Sequence, residues 1–225
     1  MDVSQALRAR RSVRAFTDQV PSAALVQSLL QDAALAPSGG NLQPWHVAAL
    51  TGDALQALLA DVAQTPGEES ADYPSYPANL WEPHRSRRYA NGEELYQSIG
   101  IPREDKTGRL QQLAKNAQFF GAPVGIIVCA DRRMGYTQWT DLGIYLQSLM
   151  LRATELGLAT CAQGFWRRYD RVVKQHLQMD DSFAVVYGVA LGYEDTSAPI
   201  NTMRASRAAF AEWGQMLGFE SLVDA

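Results

Sequence analysis

Three short segments concentrate the residues that could do chemistry. Arg10-Arg11-Ser12-Val13-Arg14 sets cations and a hydroxyl just past an expected helix, where the backbone turns. A guanidinium fork binds phosphate bidentately, and a hydroxyl adds a hydrogen bond. The same residues would also suit a helix C-terminus, where solvated cations meet the negative end of the dipole. The second segment is Ala36-Pro37-Ser38-Gly39-Gly40-Asn41-Leu42-Gln43-Pro44-Trp45. Its adjacent glycines let a backbone approach a flat ligand closely, with Ser38, Asn41 and Gln43 offering polar contacts. It would equally serve as a helix-to-strand loop. The third, Asn201-Thr202-Met203-Arg204-Ala205-Ser206-Arg207, carries two arginines three residues apart and by itself reads equally as a solvated charged face.

Several chemistries have no signature. There is no GxxxxGK[ST] loop, no strand–GxGxxG–helix fingerprint and no GxSxG elbow, and the glycines of the Pro37–Asn41 turn have the wrong spacing for a dinucleotide cradle. His46, His84 and His176 are scattered, without the close ligand pairs of a zinc site, so no metal is expected. Cys129 and Cys161 form no CxxC pair, which argues against a disulfide scaffold and for a reducing compartment. A formal net charge of −4 opposes a nucleic-acid footprint. Basic clusters at Arg8–Arg14 and Arg85–Arg88 suggest phosphate-bearing small ligands instead. The N-terminus lacks an apolar signal core, and no apolar run approaches the roughly 18 residues of a membrane span. The expectation is a cytoplasmic protein without membrane contact.

The 225 residues, 47% hydrophobic, suffice for one sizeable core or two small ones. Periodicity predicts helices over Ser4–Arg11, capped by Asp2 or Ser4, over Ser22–Ala36 through Leu25, Val26, Leu29, Leu30 and Ala33, and over Asp53–Val62. Further helices are expected at Arg103–Phe120, Thr137–Leu156, Asp170–Leu177 and from Arg207 onward. Strands are expected at Trp45–Thr51, Pro123–Ala130, Ala159–Phe165 and Phe183–Gly192. The Thr137–Leu156 helix is apolar nearly all round and belongs in a core or a subunit interface. Between about Gln64 and Pro102 lie five prolines, four tyrosines and a tryptophan with no sustained period. Such an insertion reads as a lid or binding segment, or as a surface excursion packed by its own aromatics. Strands and helices intermix without βαβ alternation, so the class is α+β.

Taken together, the three segments resemble the nitroreductase family. They match an RRSxRxF segment (Arg10–Phe16), an APSxxNxQPW turn about 25 residues later (Ala36–Trp45) and an Nxx(R)xxR segment near the C-terminus (Asn201–Arg207). Further stretches, including Tyr76–Arg88, Gly92–Tyr96, Gly100–Arg103, Phe119–Pro123 and Gly157–Gln163, resemble the subgroup of nitrobenzoate and dinitroaniline-herbicide reductases. The resemblance implies a single domain over residues 1–225, with a mostly antiparallel sheet flanked by helices. It also implies an intertwined homodimer with FMN at the subunit interface.

By the same resemblance, Arg10 and Arg207, with Arg11 and Arg204 beside them, hold the FMN phosphate, and Ser12 contacts the phosphate or ribityl chain. Arg14 faces the N1/O2 edge of the flavin, where a cation stabilises the reduced form. Pro37, Ser38, Gly39 and Asn41, with Gln43 nearby, come from the partner subunit. Cys161-Ala162-Gln163-Gly164 passes beside flavin N5, although Cys161 also suits a small buried filler. NAD(P)H and a small aromatic acceptor take turns on one exposed flavin face, in ping-pong, two electrons at a time. Nitro compounds would go to hydroxylamines. A lid around Tyr73–Tyr89, with Tyr76, Trp81, Arg85 and Arg88, would meet the acceptor, its arginines attracting a carboxylate or simply facing solvent. The same scaffold also admits reductive dehalogenation, enone reduction, flavin fragmentation, or flavin storage and sensing.

Overall fold

The computed structural model describes residues 1–69 and 74–219. Its elements in chain order are α1 (Val3–Ala9), α2 (Ala23–Ala33), β1 (His46–Thr51), α3 (Gly52–Gln64), α4 (His84–Ser98), α5 (Lys106–Ala114), β2 (Val124–Asp131), α6 (Tyr136–Glu155), β3 (Ala159–Gln163), α7 (Asp170–His176) and β4 (Phe183–Gly192). The strands form one antiparallel sheet in the order β1-β2-β4-β3. This is the α+β class expected.

Alternation along β2 explains the layering. Val124, Ile126, Val128 and Ala130 point to one face, where Val26, Leu29 and Ala33 of α2 and Leu142, Tyr145 and Leu149 of α6 cover them. Ile127 and Cys129 point to the other face, onto Leu55, Leu58 and Val62 of α3 and Val172 and Val173 of α7. With both faces covered, β2 reads as a continuous apolar run rather than an alternating one. Local signals agree with the packing. Asp2 and Gln5 form a reciprocal capping box on α1, and the Ser22 side chain accepts from Leu25 N to start α2.

Two glycines make room for an aromatic stack. The ring of Phe119 lies 4.1 Å from that of Trp166, both fully buried. A Cβ on Gly125 of β2 would lie 2.5 Å from Phe119, and one on Gly188 of β4 would lie 2.2 Å from Trp166. Phe119 and Phe120 both adopt left-handed backbone angles, φ 46° and 55°. Burial of the two rings offsets that cost.

Three expectations need correction. The region 64–102 is not without regular structure, because it contains the 15-residue helix α4. None of the residues of α4 is buried, so it has no apolar stripe for a period to reveal. Ion pairs hold it in place, among them Arg87–Glu212 and Glu93–Arg109. The helix expected through Phe120 ends at Ala114 and passes into a 3-10 segment, Lys115–Gly121, that accommodates the left-handed phenylalanines. Within the described residues the tail from Arg207 is not a helix either. It makes one short 3-10 turn, Phe210–Glu212, where the Phe210 ring folds against the vacant side of Gly214, and Gly218 has φ +78°. Tyr73 lies outside the described residues. No helix in the described residues is long and apolar enough to cross a membrane, and they contain no metal-holding group of three or more His, Cys, Asp or Glu.

Candidate functional site

The chain leaving α1 runs along the free edge of β3, and this places the first motif. Ser12 forms a parallel bridge with Thr160, and Val13 N donates to Thr160 O at 2.9 Å. Farther on, Phe16 bridges Glu194. Arg10, Ser12 and Arg14 are thereby held beside Cys161–Gly164 without belonging to a long strand.

The third motif clamps the first through its leading asparagine, to which the sequence assigned no role. Asn201 is 4% exposed. Its Oδ1 accepts from Arg14 N at 2.8 Å, and its Nδ2 donates to Ala15 O and Asp195 O at 2.8 and 2.9 Å. Every polar atom of the amide is used, as burial requires. Its own carbonyl accepts from Arg204 at 3.1 Å. The only sequence signal for this was the asparagine of the Asn201–Arg207 pattern.

Two cavities meet at Arg14. One, of about 320 Å³, is lined by Arg8, Arg10, Arg11, Ser12, Arg204 and Arg207 among others. Arg11 has a carboxylate partner, Glu194, whereas the Arg10 guanidinium has no hydrogen-bond or ion-pair partner among the described residues. Burial, and then the charge of Arg207, hold the Arg10 guanidinium below its usual range. Two cations facing a shared cavity without an acid between them suit an anion. Arg204 and Arg207 use part of their donor set on neighbouring carbonyls, which fixes the fork of each.

The second cavity, about 510 Å³, is a wider cleft. Arg14, Phe120 and the backbone segment Cys161–Gly164 form one side, and Tyr76, Arg88, Leu95 and Tyr96 come from the region of α4. The Arg14 guanidinium sits 5.9 Å from the Phe120 ring. Gln163 lines the cleft, but its side chain is committed inward: Nε2 donates to Asn116 O at 2.9 Å and Oε1 accepts from Trp166 at 3.3 Å. What β3 can offer a ligand there is therefore backbone, and the space before Gly164 is open. Arg88 stacks on Tyr76, 4.1 Å from the ring, with no carboxylate partner among the described residues. Trp81 and Arg85 stand outside the lining: Trp81 packs edge-on against His84, and Arg85 pairs with Glu82. Sequence reasoning also passed over Phe120, Tyr96, Glu69 and Arg168, which the fold brings to this cleft.

The Pro37–Gln43 turn lies elsewhere and lines neither cavity. Gly39 N donates to the Asp141 carboxylate of α6, and Gln43 N to Ser38 Oγ. Pro37, Gly39, Asn41 and Gln43 remain exposed, beside Leu35 and Leu42.

Neither cysteine is a nucleophile. Burial pushes the Cys129 thiol up to about 12, and burial likewise raises that of Cys161, which is 2% exposed. Both thiols should fail to react with a thiol-specific dye at pH 8 in the native protein and both should react once it is unfolded. Fast labelling of the native protein would contradict the burial seen at these positions.

The model of the nitroreductase family matches residues 7–193. The chain is 37% identical to 4-nitrobenzoate reductase of Pseudomonas putida, over 97% of each chain, and 35% identical to nitrobenzene nitroreductase of Ectopseudomonas oleovorans, over 94% of this chain and 95% of that one. It superposes with a TM-score of 0.93 and 41% identity on the FMN and NADPH-dependent nitroreductase NfnB of Sphigopyxis sp. strain HMH, covering 97% of this chain and 100% of that one. The antiparallel sheet with its flanking helices, the Arg10–Arg14 edge segment and the matched span agree, and the protein belongs to the nitroreductase family.

Proposed function

We propose that the protein is an FMN-dependent oxidoreductase that takes electrons from NAD(P)H and reduces small nitroaromatic compounds to hydroxylamines. The observation that carries this reading is the junction at Arg14, where an acid-free cationic cavity opens into a wider cleft with aromatic walls. The residues fit the cofactor. Arg10 and Arg207 are unneutralised and mutually repelling, so a phosphate dianion between them removes a penalty as well as forming charge-assisted bonds. Arg14, on the boundary, would hold the edge of a flavin ring bound in the cleft beside the β3 backbone.

Bound FMN supplies the redox chemistry, receiving two electrons from the donor and passing them to the acceptor. The chain's residues do the positioning. Asn201 fixes the backbone of Arg14, so its cation stands ready where negative charge would develop on the ring edge. Gln163 and Asn116 lock the cleft side of β3. Tyr76 and Arg88 face the acceptor, and the Arg88 cation suits an acceptor carboxylate. A single cleft of this size accounts for donor and acceptor alternating rather than binding side by side. The names of the Pseudomonas putida and Sphigopyxis relatives support this acceptor and this cofactor.

The exposed Pro37–Gln43 turn supports a homodimer in which Pro37, Ser38, Gly39, Asn41 and Gln43 complete the partner's site. Exposed Leu35 and Leu42 give that surface an apolar component. The test is an absorbance spectrum of the purified protein followed by anaerobic NADPH and then NADH. A flavin spectrum that bleaches, and recovers on adding 4-nitrobenzoate, is expected. A flavin that no reduced nicotinamide bleaches would instead favour storage or sensing, and a protein that FMN cannot reconstitute would refute the reading.

A further inference from the structure

One ion pair in the cleft is long and exposed. Among the described residues lining the cleft, Arg14, Arg88 and Arg168 face a single carboxylate, Glu69. The Arg168 Nε to Glu69 Oε2 distance is 3.8 Å, at the outer limit for an ion pair, and the side chains are 41% and 46% exposed. Such a pair contributes little to stability. Glu69 is anchored instead by a hydrogen bond from Ser75 N, six residues along the chain. Arg168 in turn keeps a long contact, 3.4 Å, to Gly67 O and lies 6.0 Å from the Phe165 ring. The same two side chains also line a neighbouring cavity of about 290 Å³, with Pro66, Arg167, Tyr169 and Arg171. They therefore border both spaces.

We propose that Arg168 selects for anionic ligands in the cleft and that Glu69 is its internal stand-in, displaced when a ligand's anionic group arrives. This rests on the reading of the cleft as the acceptor and donor site. The physical reasoning is competitive. A carboxylate 3.8 Å from a guanidinium without a direct hydrogen bond offsets part of the Arg168 charge in the empty state, yet is weak enough to yield to a bidentate ligand. A neutral aromatic gains nothing from the exchange. Both an aromatic carboxylate and the 2′-phosphate of the donor present the required chemistry.

The experiment is calorimetric titration of the oxidised holoenzyme with three non-reacting probes: benzoate, its neutral isostere benzamide, and adenosine 2′,5′-bisphosphate. Glu69→Gln should tighten benzoate about five-fold relative to benzamide, since the competing charge is gone while the side chain keeps its shape. Arg168→Ala should weaken benzoate about ten-fold relative to benzamide, with Arg168→Lys recovering part of the loss. If adenosine 2′,5′-bisphosphate follows this pattern and benzoate does not, the exchange stands and serves the donor's phosphate. If the benzoate to benzamide ratio and the bisphosphate affinity stay level in all three variants, the proposal is overturned. That result would be distinct from failure of the functional reading, which would show as an unmodified holoenzyme unable to reduce 4-nitrobenzoate.

Discussion

Gly188→Ala is expected to lower stability by about 3 kcal/mol, the upper end of the usual range for overpacking a well-filled core. The added Cβ would lie 2.2 Å from Trp166 Cδ1, and the ring has nowhere to go. It is fully buried, stacked on Phe119 at 4.1 Å, and its Nε1 donates to Gln163 Oε1. Relief by moving Phe119 is blocked in turn, because that ring already occupies the space that Gly125 leaves vacant. The strain would then pass through Gln163 into the β3 edge of the cleft. A control separates this packing effect from the generic one. Gly143→Ala lies on α6, where nothing stands within 4 Å of the new Cβ, and should stabilise by roughly 0.5–1 kcal/mol through helix propensity. Urea unfolding of the two variants reports both effects as midpoint shifts of opposite sign at constant slope. Equal midpoints would mean that the Phe119–Trp166 stack can rearrange at little cost.

How much of this was legible beforehand depended on whether a residue's role was local. The Pro123–Ala130 run announced β2 because a strand covered on both faces needs apolar side chains at every position. The i, i+3, i+4 stripe of Val26, Leu29 and Leu30 announced α2 for the analogous reason. Helix α4 was invisible because its sequence, His84–Ser98, is polar all round, and its support comes from Glu212 and Arg109, distant in the chain. The tail misled in the opposite sense. It reads as one more amphipathic helix, but Phe210 and Trp213 pack on each other, ring centroids 5.0 Å apart, in a turn that Gly214 permits. The site divides in the same way. Arg10, Ser12 and Arg14 were readable as a set because they are neighbours in sequence. The amide clamp of Asn201, the inward commitment of Gln163 and the meeting of Glu69 with Arg168 depend on tertiary proximity that no spacing encodes.

Arg10→Ala and Arg207→Ala should each weaken FMN binding about ten- to a hundred-fold, the ratio carried by 1.5–3 kcal/mol for one charge-assisted hydrogen bond lost. The double variant should fall short of the sum of the two. Part of what each arginine contributes is relief of the repulsion it suffers from the other, as the lowered Arg10 guanidinium indicates. Removing one cation abolishes that repulsion, so the second removal starts from a different reference and the two sites do not add. Arg14→Ala provides the internal contrast. Arg14 borders both cavities, and its backbone is held by Asn201 whatever its side chain. Its loss should therefore leave most of the FMN bound while slowing reduction by NAD(P)H, because the fixed cation at the ring edge is missing. Fluorescence of released flavin during dialysis measures the first effect, and anaerobic stopped-flow bleaching measures the second. If the Arg10 and Arg207 variants retain flavin as the unmodified protein does, the 320 Å³ cavity is not the phosphate site. If Arg14→Ala is reduced at the unmodified rate, the assignment of that guanidinium to the ring edge is wrong, while the cationic cavity beside it would still stand.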